Sequence, residues 1–285
     1  VQMMDETSIS EDISKKLQTD GYLFLRNVYD PTEVIEARNK VLNHLYEVGE
    51  VQDPYQDAIF SGSSKRRNLY PNTHKLGEFW KNVSEMKELR NIINGLEIKR
   101  VMAKIFDAEA THFSFAWLRA VVQGKASPAH IDHPYMNRGT DQLLTCWTPL
   151  GTIAKNEGTL YILKRSHTWS DIKNKFLDHD IDAFPNIPGH ILEHPLDVAV
   201  RKQTVFLSNI FNPGDCIIFG MFAVHGSFDN NNQSGKIRLS CDTRFQPKNE
   251  YMDPRFTGLN PEAHKGLGYG CLSSSLPLTE TALLK

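Results

Sequence analysis

Across its 285 residues the chain has no apolar run close to the about 20 residues that a membrane span requires. It also lacks an excess of charge: the formal net charge is -2, which gives no electrostatic footprint for nucleic acid. Its four cysteines, Cys146, Cys216, Cys241 and Cys271, show no CxxC spacing. This disfavours a thiolate metal knuckle or a dithiol redox centre. The first three lie in apolar, strand-like runs and are expected to be buried, reduced thiols. The opening VQMMDETSISED is acidic and has no apolar h-region, so no signal peptide is read there and a cytoplasmic protein is expected. There is no internal repeat and no low-complexity tract. What is present is an ordinary globular composition, 40% hydrophobic and 23% charged, in a chain long enough to bury a sizeable core.

The texture changes along the chain. Residues 1–110 read as mainly helical: an amphipathic run from Ile9 to Leu17, a short strand at Tyr22 to Leu25, a helix from about Pro31 to Tyr46 capped by Asp30, and one or two helices between Leu76 and Phe106. Residues 111–248 carry short β-rich runs separated by Gly, Pro, Asn and Ser clusters: HFSFAWLRAVV, LLTCWTPL, GTLYILK, DCIIFGMFAVH and IRLSCDTRF. Such a pattern suggests a sandwich or barrel. A hydrophilic excursion at about 170–203, with Asp178, Asp180 and Asp182, interrupts it as a loop or lid, and residues 249–285 form a C-terminal tail. The whole is expected to be a single domain.

HIDH at 130–133, followed 95 positions after His130 by His225 in AVHGS, supplies two imidazoles and a carboxylate at metal-ligand spacing. On a β-strand, residues two apart face the same side, so His130 and Asp132 would grip one ion from one strand while a distant strand delivers His225. Three ligands on one face leave open positions, the arrangement of non-haem Fe(II) oxygenases. Zinc hydrolases use similar sets, so the triad alone leaves the metal open. His133 is expected to face the opposite way, and His167 to serve in a cap or loop.

GSFDNNNQSGK after His225 reads as a hairpin loop, beyond which IRLSCD presents Arg238 13 positions from the histidine. A guanidinium there suits a cosubstrate carboxylate, because its fork makes two charge-assisted hydrogen bonds. Lys236 and Arg244 are rivals on the same face by simple alternation. Trp147 and Thr145 share a face that either lines a pocket or packs in the core. Lys75, by its own chemistry, is an ordinary solvated lysine.

The runs DGYLFLRNVYDPTEV, WLRAVVQGKASPAHIDHPYM, TCWTPLGTIAKNEGTLYILKRSH, NPGDCIIFGMFAVHGS and IRLSCDTRFQP resemble the phytanoyl-CoA dioxygenase family of Fe(II)- and 2-oxoglutarate-dependent oxygenases, over roughly residues 20 to 248. The resemblance implies a mainly β fold, a double-stranded β-helix or jelly roll with flanking helices, and Fe(II) with 2-oxoglutarate and O2 as cosubstrates. It implies His130, Asp132 and His225 as metal ligands and Arg238 as the partner of the 2-oxoglutarate C5 carboxylate, with Lys236 as the alternative. Trp147, Lys75 and Ser227 resemble further cosubstrate contacts. Related halogenases replace the carboxylate of HxD, and Asp132 is intact here. The expected reaction is hydroxylation of an unactivated C–H bond of a small molecule such as a secondary metabolite, with succinate and CO2 as coproducts. Desaturation, cyclisation, hydroxylation of an acyl-CoA lipid, a non-catalytic cupin-like binding protein and a zinc hydrolase are the alternatives. The acidic excursion suggests a polar or cationic substrate, Lys65, Arg66 and Arg67 offer cations to CoA phosphates, and Arg119, Tyr135 and Arg138 are candidate substrate contacts.

Overall fold

The computed structural model describes residues 1–283. In chain order its strands are β1 (Gln2–Met3), β2 (Tyr22–Leu25), β3 (Ala110–His112), β4 (Trp117–Val121), β5 (Leu144–Pro149), β6 (Leu160–Leu163), β7 (Phe206–Ser208), β8 (Cys216–Gly220), β9 (His225–Ser227) and β10 (Arg238–Pro247). The α-helices are α1 (Ile13–Asp20), α2 (Pro31–Glu47), α3 (Arg66–Leu69), α4 (Thr73–Ser84), α5 (Lys87–Ile93), α6 (Leu96–Phe106), α7 (Ser170–Phe176), α8 (Pro195–Arg201) and α9 (Leu278–Leu283). None of these helices is long and apolar enough to cross a membrane.

The strands form two sheets, a four-stranded one in the order β1-β7-β6-β9 and a six-stranded one in the order β2-β8-β5-β10-β3, with β4 also paired to β10. Apart from the parallel β1–β7 pair, the ladders are antiparallel. This is the two-sheet jelly roll. Alternation explains the continuous apolar reading of the central strands. Tyr22, Phe24, Trp147, Ile217 and Phe219 point between the sheets and meet Leu160, Ile162, Leu207 and Phe211. Their neighbours Leu23, Leu25, Cys146, Cys216 and Ile218 point the other way, against Val34, Val41, Leu45 and Trp80 of the helical layer. Strands covered on both faces have little room for polar alternation, and β10, whose alternate positions carry Arg238, Ser240, Asp242 and Arg244, is the exception.

The helical signals hold locally. Pro31 opens α2 and the Asp30 side chain accepts from the Thr32 amide. The run expected from Ile9 becomes helical only at Ile13, where Asp12 caps it, and the segment expected to hold one or two helices holds three, α4 to α6. Glu85–Met86 and Asn94–Gly95 separate them. At the end of α1, Gly21 adopts φ +82°, and a Cβ there would lie 2.1 Å from the His167 ring. His167 sits over that glycine with Nε2 3.1 Å from the Gln18 carbonyl, so it serves the helix end.

Two expectations of local geometry are corrected. The HxD segment is not a strand: His130 makes isolated bridges to His190 and His225, and Asp132 sits at a bend before a 3-10 turn at His133–Tyr135. Nor is the stretch 226–236 a hairpin loop. β9 pairs with β6 and β10 with β4 and β5, so it carries the chain from one sheet to the other. Polar Asn and Gly residues mark the reversal equally well in either case, which is why spacing alone misreads it.

Candidate metal centre and cosubstrate cleft

His130 and His225 are joined by reciprocal backbone hydrogen bonds, each amide 2.9 Å from the other's carbonyl. Neither ring is free to choose its tautomer. Nδ1 of His130 lies 2.8 Å from the Pro128 carbonyl and Nδ1 of His225 lies 3.0 Å from the Ala223 carbonyl. Both Nδ1–H groups thus donate backwards, leaving each Nε2 lone pair to a metal. Asp132 enters from the bend, its amide held 2.9 Å from the Met221 carbonyl. Its Oδ1 lies 3.6 Å from Nε2 of His130 and 3.7 Å from Nε2 of His225. Ligand atoms of all three residues fall within 4.8 Å of one another, and among the described residues this is the one such cluster.

The electrostatics suit a divalent cation. Burial, with His225 adding to it, drives the His130 pKa down to about 3, and burial likewise lowers that of His225. Both imidazoles therefore stay neutral, the form that ligates. Burial works against ionisation of Asp132, but Arg244, His225 and His130 outweigh it and hold the carboxyl below its ordinary range. Its second oxygen accepts from the Thr145 hydroxyl and lies 3.2 Å from Nη2 of Arg244. A neutral imidazole pair with one ionised carboxylate is a donor set that fits Fe(II).

A narrow cleft of about 20 Å³ opens beside the triad, lined by His130, His225, Trp147, Leu160, Phe219, Gly226 and Ser227 with Ser127, Arg119, Arg238 and Asp242. Gly226 permits the close packing here, since a Cβ would lie 2.6 Å from the Tyr161 hydroxyl. Three charged inward positions of β10, Arg238, Asp242 and Arg244, set the charge. Arg244 pairs with Asp132, Asp242 with Arg119, and Lys236, just before the strand, turns outward to Glu157 at 3.0 Å. Arg238 is 3% exposed and has no acid partner among the described residues; Nη1 donates to the Gly158 carbonyl at 2.7 Å and Nε has no partner. Burial and the charge of Arg119 lower its pKa to about 10.

Several residues singled out in the sequence meet here: His130 and His225 of the triad, Trp147, Ser227, Arg238 and Arg119. Ser227 accepts from the Ser127 amide at 2.7 Å, and Trp147 packs edge-on against Phe211. Tyr135 stands beside the centre, its ring 5.7 Å from that of His130. Lys75 and Arg138 are not brought to the cleft. Lys75 is half exposed on α4 and bonded to Glu78, while Arg138 pairs with Asp180. His133 is buried against Phe222 and lies outside the metal cluster. Asp242 carries no signal in the sequence, and Arg244 reads there only as a rival for the cosubstrate; their contacts with Arg119 and Asp132 cross from one strand or loop to another and leave no short-range signal.

A two-sheet jelly roll with two imidazoles and a carboxylate gathered at one end, beside a buried cation, defines a cupin-like metal-dependent oxygenase. Residues 17–239 match the phytanoyl-CoA dioxygenase (PhyH) family, and the chain belongs to it. It is a 2-oxoglutarate-dependent dioxygenase whose metal is Fe(II) and whose cosubstrates are 2-oxoglutarate and O2. Among curated relatives, 1-deoxypentalenic acid 11-beta-hydroxylase of Streptomyces exfoliatus is 24% identical over 282 residues, 95% of this chain and 93% of that protein. Peroxisomal phytanoyl-CoA dioxygenase of Homo sapiens is 27% identical over 115 residues, 40% of this chain and only 32% of the human protein. In fold, the chain is similar to the α-ketoglutarate-dependent carbocyclase SnoK from nogalamycin biosynthesis, with a TM-score of 0.60 at 15% identity over 96% of each chain. EvdO2 from Micromonospora carbonacea var. aurantiaca, solved with 2-oxoglutarate, gives a TM-score of 0.54 at 17% identity over 86% of this chain and 94% of that one.

Proposed function

We propose that this oxygenase hydroxylates an unactivated C–H bond of a small secondary metabolite, with His130, Asp132 and His225 holding iron and Arg238 receiving the C5 carboxylate of 2-oxoglutarate. The observation that carries the reading is Arg238, a buried guanidinium in the metal cleft with no acid of its own. Burying a cation without a counter-charge is unfavourable, and a dicarboxylate reaching from the triad would supply the missing charge. The bound iron, 2-oxoglutarate and O2 would supply the oxidising power, with succinate and CO2 as coproducts. The protein's part is placement. The two Nδ1–carbonyl hydrogen bonds fix the imidazoles, Thr145 and Arg244 fix Asp132, and Trp147, Leu160 and Phe219 wall the cleft with apolar surface that excludes water.

The full-length resemblance to a hydroxylase of 1-deoxypentalenic acid and the fold shared with enzymes of nogalamycin biosynthesis support a secondary metabolite. A second cleft of about 610 Å³ shares Arg119 and Ser127 with the first and adds Lys125, His190, Ser273, Ser274 and Thr281, a lining suited to a substrate with polar groups. Of the three cations near a possible CoA phosphate site two are engaged, Arg66 being fully buried on Glu50 and Arg67 paired with Glu280, and Lys65 alone is exposed. Two of the excursion's three acids are committed within the protein, Asp180 and Asp182 being held by Arg138, Arg255 and His264, while Asp178 is exposed beside a separate cavity.

The test is anaerobic visible absorption with Fe(II) and 2-oxoglutarate, in the natural chain and in Asp132→Ala, followed by admission of oxygen with candidate metabolites. A charge-transfer band that needs both additions, then succinate and a product gaining one oxygen atom, is the expected result. Product that loses two hydrogens instead would replace hydroxylation by desaturation or cyclisation, and the absence of both band and succinate would sink the reading.

A further inference from the structure

The inner face of β10 presents Arg238, Ser240 and Asp242 in a row, and on β4 Arg119 is the register partner of Ser240. Sheet geometry therefore puts Arg119 diagonal to both its neighbours in the row, within reach of either. It is committed to one of them. Nε and Nη2 of Arg119 lie 2.8 and 2.7 Å from the same oxygen of Asp242, Oδ2. The other oxygen, Oδ1, is buried and has no partner, as is Nε of Arg238. All three charged groups line the cleft that contains His130 and His225.

Counting charge in that cleft is informative. Two guanidiniums and one carboxylate leave a single net positive charge, matched by the single distal carboxylate of a dicarboxylic keto acid. Without Asp242 the cleft would carry two positive charges. Without Arg119, the freed Asp242 would face Arg238 across one strand position and could claim it. The pKa values agree: burial opposes the charge on Arg119 but Asp242 more than restores it, whereas at Arg238 burial and the charge of Arg119 outweigh the smaller attraction of Asp242.

We propose that Arg119 and Asp242 are a charge-balancing pair, with Arg119 occupying Asp242 so that Arg238 stays free for 2-oxoglutarate. The inference rests on the assignment of Arg238 made above. Arg119 and Asp242 are then positioning residues that set cosubstrate affinity without themselves binding the C5 carboxylate.

The experiment is an anaerobic titration of the Fe(II)-loaded full chain with 2-oxoglutarate, read by the charge-transfer band and by calorimetry. Arg119→Gln is expected to weaken 2-oxoglutarate binding by about tenfold or more, a coupling within the range found for contacting charged groups. The double variant Arg119→Gln with Asp242→Asn is expected to recover most of that loss, because it removes the competitor together with its guard. A purely structural role would leave the double variant at least as weak as the single one, and that result would overturn the proposal. Asp242→Asn alone, which raises the positive charge, is expected to bind 2-oxoglutarate no more weakly than the natural chain. If Arg119→Gln does not fold, a folded Asp242→Asn that binds ten times more weakly would still refute the idea. Arg238→Gln separates the two levels. Unchanged affinity there defeats the assignment of Arg238 itself, whereas weakened affinity with no rescue in the double variant defeats only the pair.

Discussion

Arg244 reaches Asp132 across the metal centre, its Nη2 3.2 Å from Oδ2, and both residues are only 2% exposed. The contact splits the work of the carboxylate: Oδ1 faces the two imidazoles, while Oδ2 is occupied by Arg244 and Thr145. Asp132 is thereby held to offer one oxygen to a metal, leaving room for the cosubstrate.

Removing that restraint should loosen the metal. Arg244→Leu is expected to weaken Fe(II) binding by about 10–100-fold, the usual penalty for deleting a group that orients a ligand. Thr145→Val should act in the same direction and less strongly. Metal titration with a competing chelator measures both, and an Arg244→Leu protein with undiminished metal affinity would show that Asp132 needs no such support.

Lys236 and Arg238 should behave differently although two positions separate them. Arg238→Gln is expected to raise the 2-oxoglutarate dissociation constant by about 10–100-fold, the equivalent of about 1.5–3 kcal/mol for a lost charge-assisted hydrogen bond. Lys236→Gln should leave it unchanged, because that ammonium already bonds Glu157 outside the cleft. Equal effects in a binding titration would return the assignment to an open choice.

The ion pair between Arg66 and Glu50 is fully buried, and Arg66 also donates to the carbonyls of Ser274, Ser275 and Leu276. Arg66→Met strands Glu50 and three carbonyls, so a loss of about 3–5 kcal/mol is expected in denaturant unfolding. Arg67→Gln, which breaks a partly exposed pair with Glu280, should change stability by less than about 1 kcal/mol. Comparable losses would mean that burial is not what makes the first pair matter.

Acid should release the excursion from the C-terminal segment. Burial opposes ionisation of Asp180 and Asp182, but hydrogen bonds from Arg138 to the first and from Arg255 and His264 to the second outweigh it and lower both pKa values. The native state thus binds fewer protons than the unfolded chain; the stabilisation is full above the ordinary carboxyl pKa of about 3.9 and disappears as pH falls through the lowered values. Hydrogen exchange in residues 177–194 is expected to stay slow at pH 5 and to accelerate below about pH 4, and the double variant Asp180→Asn, Asp182→Asn should show the fast behaviour at neutral pH. Slow exchange in that variant would remove these ion pairs from the account.

Much of this arrangement was legible in the sequence, for identifiable reasons. Apolar runs bounded by turn residues located β2, β5 and β6 closely, since a strand buried on both faces leaves a nearly continuous hydrophobic run, whereas β10 alternates polar cleft-facing residues with apolar ones. Asp30 before Pro31 located the start of α2 because capping is a local interaction. His130 and Asp132 were found by their spacing, yet strand alternation is not what brings them together; a bridge and a bend do that. Arg244 with Asp132 and Arg119 with Asp242 could not be read, because 112 and 123 positions separate the partners and only the folded sheet makes them neighbours. Lys75 shows the converse: a motif resemblance drew attention to a side chain that the structure keeps on an exposed helix face.

The grip of Arg66 on Ser274 spans 208 positions and on Leu276 spans 210. During synthesis, the first hundred residues would therefore exist for a long interval with a cation and an acid whose final hydrogen-bonding partners had not yet been made. The helical layer cannot seal over Arg66 and Glu50 until residues 274–278 have emerged and docked against them.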